Sequence, residues 1–357
     1  MDWASYLFAK TGKWYLSNPY PHNTSSGLSS SRSLYDMSLI YPTKFVVARS
    51  PELQKIEAGT IDVQIPVEFD GTITARIYNG HAPSEASNAD LKPVLVWYHG
   101  GGMIIGSMEG AQGNCLKFAN HTGYLIVNVD YRLAPEFVFP TPLNDAYTAF
   151  LWVEENIAKY GGDPKRLTIG GDSAGGYLTT TVSARYIAAQ IESEKKKLNC
   201  HEAETCPSIT KLPYSGLVGI LDVYPAVNAT SDSEGAKLYA KTSGLLPLEE
   251  VEWMRSLYQG SPVKDMTVRN HYWFSPFNTP SEILSFFPPT IFVFARYDVL
   301  TQEGLEFMEK LKKLGVKTEM LWYGSTIHAF FGNDFIPAGN QAVYESSELL
   351  VKLVSKK

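Results

Sequence analysis

The sequence predicts an α/β protein built on a mainly parallel β-sheet with helices on both faces. Two observations carry that expectation. The apolar runs Pro93 to Tyr98, Tyr124 to Asp130, Leu217 to Leu221 and Thr290 to Ala295 are nearly continuous rather than alternating, as in strands buried on both faces. Between them lie stretches whose apolar residues recur at helical spacing, and strands alternating with helices give a parallel sheet. The 357 residues, 44% hydrophobic and 19% charged, supply ample core for one large domain with insertions. No internal repeat is visible.

Near the start, Trp3, Tyr6, Leu7 and Trp14 have roughly helical spacing after Asp2, which predicts a helix over residues 2 to 16. Residues 18 to 49 are rich in Ser, Pro and Tyr and read as mostly irregular. Thr60 to Glu68 and Thr72 to Asn79 alternate around Phe69-Asp70-Gly71, a β-hairpin pattern. A polar loop follows to Lys92. A helix containing Cys115, Leu116 and Phe118 separates the first two buried strands. Another spans roughly Leu143 to Tyr160, with Ala146, Phe150, Val153 and Ile157 on one stripe. Glu192 to Pro213 is charged and poor in apolar residues, and reads as an exposed loop. An amphipathic helix begins near Pro247, with Leu248, Val251, Met254 and Leu257 as its apolar face. The remaining elements are a helix from about Gln302 to Leu314, a last strand Lys317 to Tyr323 and a closing helix Gln341 to Ser355.

Gly171-Asp172-Ser173-Ala174-Gly175 lies between the strand Arg166 to Gly170 and a helix opening at Gly176. Strand, glycine turn and helix make this a nucleophile elbow, with the Ser173 hydroxyl pushed clear of the sheet edge. Any side chain in place of the flanking glycines would collide with the neighbouring strand and helix. The helix that follows points its positive end at the serine, which suits a developing negative charge. A serine needs a base to take its proton and a carboxylate to hold that base. Asp298 follows the strand ending at Ala295, and His328 follows the strand ending at Tyr323. Catalytic groups gather beyond the carboxyl ends of parallel strands, and Ser, Asp, His is the chain order of α/β-hydrolases. His99-Gly100-Gly101-Gly102 follows a buried strand and offers backbone N–H groups without Cβ atoms in the way. Such donors lower the barrier of acyl transfer by about 3 kcal/mol each.

These blocks, with Asp130-Tyr131-Arg132-Leu133-Ala134-Pro135-Glu136, Pro142 to Ala146 and Asp298-Val299-Leu300, resemble in order the landmarks of the hormone-sensitive-lipase-like branch of the α/β-hydrolases. The resemblance covers about residues 90 to 335. It implies the α/β-hydrolase fold, with a mainly parallel eight-stranded sheet. The chain is then a single domain over residues 1 to 357, with a helical cap from about 1–50 and about 225–270. It also implies Ser173 as nucleophile, His328 as general base and acid, and Asp298 as its orienting carboxylate. The N–H groups of Gly101, Gly102 and Ala174 then form the oxyanion hole. Asp130, Arg132, Glu136 and Asp145 are expected as buried, paired charges. Phe274, Phe277, Trp253 and Tyr177 are candidate pocket walls, or plain core.

The implied activity is hydrolysis of short- to medium-chain acyl esters, a small-molecule substrate, through an acyl-enzyme. Lactone or amide cleavage, acyl transfer and elimination share the same site groups and stay open. A non-catalytic small-molecule receptor on this fold is disfavoured, because the plant gibberellin receptors that resemble the family have lost the histidine present here as His328. A net charge of −6 argues against nucleic acid as a partner. No apolar run reaches the roughly 18 residues of a membrane helix. The start lacks a signal-peptide pattern, so a cytoplasmic location is expected; secretion stays open if a leader was removed. The seven scattered histidines have no metal-ligand spacing, and neither metal nor cofactor is expected. Cys200 and Cys206 could pair in an oxidising compartment, although free thiols fit the missing leader better, and Asn23, Asn120 and Asn228 head glycosylation triplets. A homodimer is left open.

Overall fold

The computed structural model describes residues 42–81, 91–197, 216–230, 246–261 and 263–355, together with the isolated positions 32, 37, 40, 209, 212 and 237. The predicted helix over residues 2 to 16, and Cys200, Cys206 and Asn23, lie outside them.

Eight strands form one sheet in the order β1-β2-β4-β3-β5-β6-β7-β8. They are β1 (Ile61–Val67), β2 (Gly71–Tyr78), β3 (Lys92–Tyr98), β4 (Leu125–Asp130), β5 (Gly162–Asp172), β6 (Leu217–Val223), β7 (Thr290–Tyr297) and β8 (Thr318–Ile327). β2 runs antiparallel to both β1 and β4. The pairings from β4 across to β8 are parallel. The described helices include α1 (Pro51–Ala58), α2 (Met108–Thr122), α3 (Thr141–Asn156), α4 (Ala174–Lys197), α5 (Leu248–Gln259), α6 (Thr301–Lys313) and α7 (Pro337–Val354), with one-turn helices at Met266–Asn270 and Ser281–Leu284.

The continuous apolar strands divide by parity, because successive side chains leave opposite faces. Val94, Val96 and Tyr98 join a core under α3, α4 and α6; Leu95 and Trp97 join the other, under α1, α2 and α7. β3 therefore has no solvent face. It pairs with β4 on one side and β5 on the other, so the winding direction reverses at β3. Loops diverge at such a reversal and leave a crevice. The loop after β3 carries His99 to Gly102, and the turn after β5 carries Ser173.

Two expectations are corrected, and one helix is added. Residues 42–47 are helical rather than irregular. Helix α4 continues to Lys197 and takes in the first six residues of the segment read as a loop, with Lys196 and Lys197 paired to Glu192 and Glu194 at 2.8 and 2.5 Å. A helix with all its last-turn charges in water needs no apolar stripe there. Helix α1, which the sequence reading did not include, starts at Ser50, whose hydroxyl accepts from Leu53 N–H, with Pro51 in its first turn.

Candidate active site

β5 ends at Asp172 and α4 begins at Ala174, so Ser173 alone makes the turn, at φ 57°. That region is costly for a residue with a Cβ and persists only where the surroundings impose it. They do: Ser173 N–H donates to Val223 O at 2.9 Å, and Ser173 O accepts from Tyr177 N–H at 3.1 Å and Ala226 N–H at 3.3 Å. Gly175 is required by approach. A Cβ there would stand 2.0 Å from Tyr98 O and 2.8 Å from His99 O. The end of β3 thus rests directly on the first turn of α4.

His328 and Asp298 arrive from the next two strand ends. Asp298 is fully buried after β7; its Oδ1 accepts from Leu300 N–H at 2.9 Å, and its Oδ2 is 2.7 Å from His328 Nδ1. His328 Nε2 is 2.9 Å from Ser173 Oγ. A carboxylate only accepts, so Nδ1 carries the imidazole proton and Nε2 turns its lone pair to the serine hydroxyl. The Tyr224 ring packs 4.7 Å from the imidazole and limits its rotation.

The glycine loop is held from behind. Gly101 has φ 119°, and a Cβ there would lie 2.0 Å from Ile105 O. Its carbonyl accepts from the N–H groups of Ile104 and Ile105, both at 3.0 Å. Gly100 N–H donates to Asp172 Oδ1 at 3.1 Å. The His99 ring stacks on Tyr131 at 4.3 Å, and the Tyr131 hydroxyl donates to His99 O at 2.7 Å. Burial pulls the His99 imidazole below its usual range, which keeps it neutral, while its hydrogen bond to Gly100 and the charge of Asp130 oppose this. Among the described residues, the N–H groups of Gly101 and Gly102 have no acceptor. Ala174 opens α4 and has none within its helix. Burial pushes the Asp172 carboxyl up to about 6, against the pull of His328 and of the Gly100 N–H.

The other predicted residues divide. Arg132 and Asp145 form a largely buried two-point pair, with Nη2 to Oδ1 at 2.6 Å and Nε to Oδ2 at 2.7 Å. Asp130 is corrected: it is half-buried and accepts from Met108 N–H at 3.1 Å, with no ion pair among the described residues. Glu136 is corrected: it is half exposed and pairs with Arg32 at 2.7 Å. Tyr177 and Phe274 lie in the core, with Trp253 and Phe277 packed against it. A cavity of about 50 Å³ lies behind the loop, lined by His99, Asp172, Asn114 and Tyr224 but not by Ser173. Cys115 is buried as a free thiol. Among the described residues, no group of His, Cys, Asp or Glu could hold a metal ion, and no helix is long and apolar enough to cross a membrane.

The family model described as the alpha/beta hydrolase fold matches residues 95–332, two thirds of the chain, and takes in Ser173, Asp298, His328 and the glycine loop. The chain belongs to the α/β-hydrolase fold family. Within it the chain falls in the hormone-sensitive-lipase-like branch. It is 28% identical over 290 residues to the carboxylic ester hydrolase LipN of Mycobacterium tuberculosis, covering 81% of this chain and 68% of that one. It is 27% identical over 293 residues to an ethyl acetate hydrolase of Pseudomonas putida, covering 82% and 80%. Among solved structures it is similar to the thermostable carboxylesterase EstE1 from a metagenomic library, with TM-score 0.74, 29% identity and coverage of 92% and 97%.

Two features of this hydrolase were missed by sequence reasoning. Arg32 donates to Ile104 O at 2.7 Å, just beyond the glycine loop, and to Ala134 O at 2.8 Å. Arg255 on α5 donates to Asn228 O at 3.0 Å and pairs with buried Glu303 of α6 at 3.4 Å. Burial pushes the Glu303 carboxyl up to about 7, opposed by Arg255. Neither arginine stands in a motif, and their partners are distant in sequence.

Proposed function

We propose that the chain is a serine carboxylic-ester hydrolase that cleaves short- to medium-chain acyl esters through an acyl-enzyme. The observation that carries the reading is the unbroken line from Asp298 through His328 to Ser173 Oγ, with separations of 2.7 and 2.9 Å. His328 Nε2 takes the hydroxyl proton as Ser173 Oγ attacks the ester carbonyl carbon. The carbonyl oxygen becomes an anion, and the free N–H groups of Gly101, Gly102 and Ala174 receive it. The N-terminus of α4 adds its partial positive charge there. When the intermediate collapses, the imidazolium protonates the leaving alcohol. Water enters by the same route: His328 takes its proton, the hydroxide attacks the acyl carbon, and Ser173 recovers its hydrogen as the acid leaves. Asp298 stays ionised and stabilises the imidazolium in both halves. The cap over this site comes from about residues 1–50 and 225–270, supported by Arg32 and Arg255 reaching the hydrolase core. The names of the relatives, a carboxylic ester hydrolase and an ethyl acetate hydrolase, agree with ester cleavage.

The test is a series of p-nitrophenyl esters from acetate to decanoate, run beside a lactone and an amide. The expected result is fastest turnover on the shorter esters and loss of nearly all of it in Ser173→Ala. Equal turnover by the variant, or cleavage of the lactone or amide in preference to every ester, would overturn the proposal.

A further inference from the structure

Helix α5 holds the loop that carries Asp298. Val299 and Leu300, the next two residues, are buried but join neither main core. They form a small cluster of their own with Leu246 and with Val251 of α5, and Ala226 packs against it. One turn further along α5, Arg255 reaches Glu303 in the first turn of α6. Residues four apart share one face of a helix, so Val251 and Arg255 cover the beginning and the end of the stretch 299 to 303. Asp298 opens that stretch. Its Oδ1 accepts from Leu300 N–H at 2.9 Å and its carbonyl from Thr301 N–H at 3.3 Å. A shift of the stretch therefore carries the carboxylate with it.

The Arg255–Glu303 pair also closes on the segment that follows β6. Asn228 N–H donates to Glu303 Oε1 at 3.1 Å, and Arg255 Nη2 donates to Asn228 O at 3.0 Å while lying 3.4 Å from Glu303 Oε2. Earlier in that segment, Tyr224 packs on the His328 ring and Ala226 N–H donates to Ser173 O. The Arg255 and Glu303 side chains are 11% and 4% exposed, so neither finds a substitute in water when the other is lost. We propose that the Arg255–Glu303 pair is a positioning device: it holds Asp298 in line with His328, and the triad is assembled when the cap helix α5 is seated. This inference rests on the ester-hydrolase reading and gives the cap a part in the chemistry besides covering the substrate.

The experiment measures Tm, and kcat on p-nitrophenyl acetate, for wild type, Arg255→Met, Glu303→Gln and the double variant. Burial pushes the Glu303 carboxyl up to about 7, so the assays are run at pH 8, where it is ionised. Arg255→Met should lower both Tm and kcat, the latter by about 10- to 100-fold, since a misplacement of about 1 Å can cost about 100-fold. The double variant leaves no buried charge of the pair without its partner, so its Tm should recover while its kcat stays at the level of Arg255→Met. In the Asp298→Asn background, where the side chain no longer sets the imidazole tautomer, Arg255→Met should cost about twofold or less, the scatter expected of independent effects. Should Arg255→Met not melt cooperatively, the double variant replaces it in this cycle, with Glu303→Gln as the second folded member. A kcat that recovers together with Tm, or an equal loss with and without Asp298, would overturn the assignment. An unchanged kcat in an enzyme that still depends on Ser173 rejects the positioning role alone, whereas a wild type that hydrolyses no ester rejects the reading beneath it.

Discussion

Gly175→Ala separates the geometry of the site from the stability of the fold. The added Cβ would lie 2.0 Å from Tyr98 O, whereas ordinary contact begins at 3.4 Å, so the first turn of α4 and the end of β3 must part by about 1.4 Å. The obstacle is backbone in the middle of the sheet, which cannot rotate away. Overpacking of this kind costs about 1–3 kcal/mol. A chain of this length melts with an entropy near 0.75 kcal/mol/K, so a cost of about 3 kcal/mol lowers Tm by only about 4 °C. The same displacement moves His99 to Gly102 relative to Ser173, and a misplacement of about 1 Å can reduce a rate by about 100-fold. Gly123→Ala is the control. Gly123 ends α2 at φ 71° with nothing within 4 Å of a Cβ, so it costs about 1–2 kcal/mol of backbone strain far from the serine. Melting curves and initial rates on p-nitrophenyl acetate should show both variants folded, with only Gly175→Ala losing about two orders of magnitude in kcat/KM. Wild-type rates in Gly175→Ala, or equal losses in both, would refute the reasoning.

Asp298→Asn removes the acceptor that fixes the imidazole tautomer, and kcat should fall by about 10⁴-fold with the fold intact by circular dichroism; a loss below tenfold would leave His328 held by something else. Arg32→Ala deletes the bonds to Ile104 O and Ala134 O, each worth about 1.5–3 kcal/mol when the donor is charged. It should lower kcat/KM more than Tm, and Arg32→Lys should not restore it, because one ammonium cannot span these acceptors. Asp222 is buried with its Oδ2 accepting from the Thr180 hydroxyl at 2.6 Å, and burial pushes its carboxyl up to about 8. The folded chain then keeps this proton where the unfolded chain has released it, from about pH 4 to pH 8, and stability falls as pH rises through that window. Asp222→Asn keeps a neutral side chain at every pH. Its unfolding free energy, measured with urea, should gain on the wild type between pH 5 and pH 8; a constant difference would show that Asp222 is charged throughout.

The parts of the fold legible in the sequence are those whose partners are near in the chain or whose pattern admits one structure. The run Pro93 to Tyr98 can only be a strand covered on both faces, and it is. The glycines around Ser173 are dictated by backbone contacts that any such elbow makes, so the string announced the turn. Charge patterns were read less well. Lys195, Lys196 and Lys197 hold the end of α4 through pairs in water, and a solvated helix end has the composition of a loop. Helix α1 did carry a signal, Ser50-Pro51-Glu52, a capping residue followed by proline and an acid, and that signal was passed over. Arg32 and Arg255 carried none. Each acts on a segment far from it in sequence, and an arginine in a Ser-rich stretch or on an amphipathic helix has the same appearance wherever the fold takes it.

The account stands on Ser173 being the one hydroxyl made reactive by His328. A fluorophosphonate reagent reports this directly: it attaches covalently to an activated serine, and intact-mass analysis with peptide mapping locates the adduct. The account predicts one adduct per chain, on the peptide containing Ser173, with activity lost in proportion, no labelling of Ser173→Ala and much slower labelling of His328→Ala. Inactivation with the adduct on another residue, or labelling of Ser173 at the same rate without His328, would contradict it.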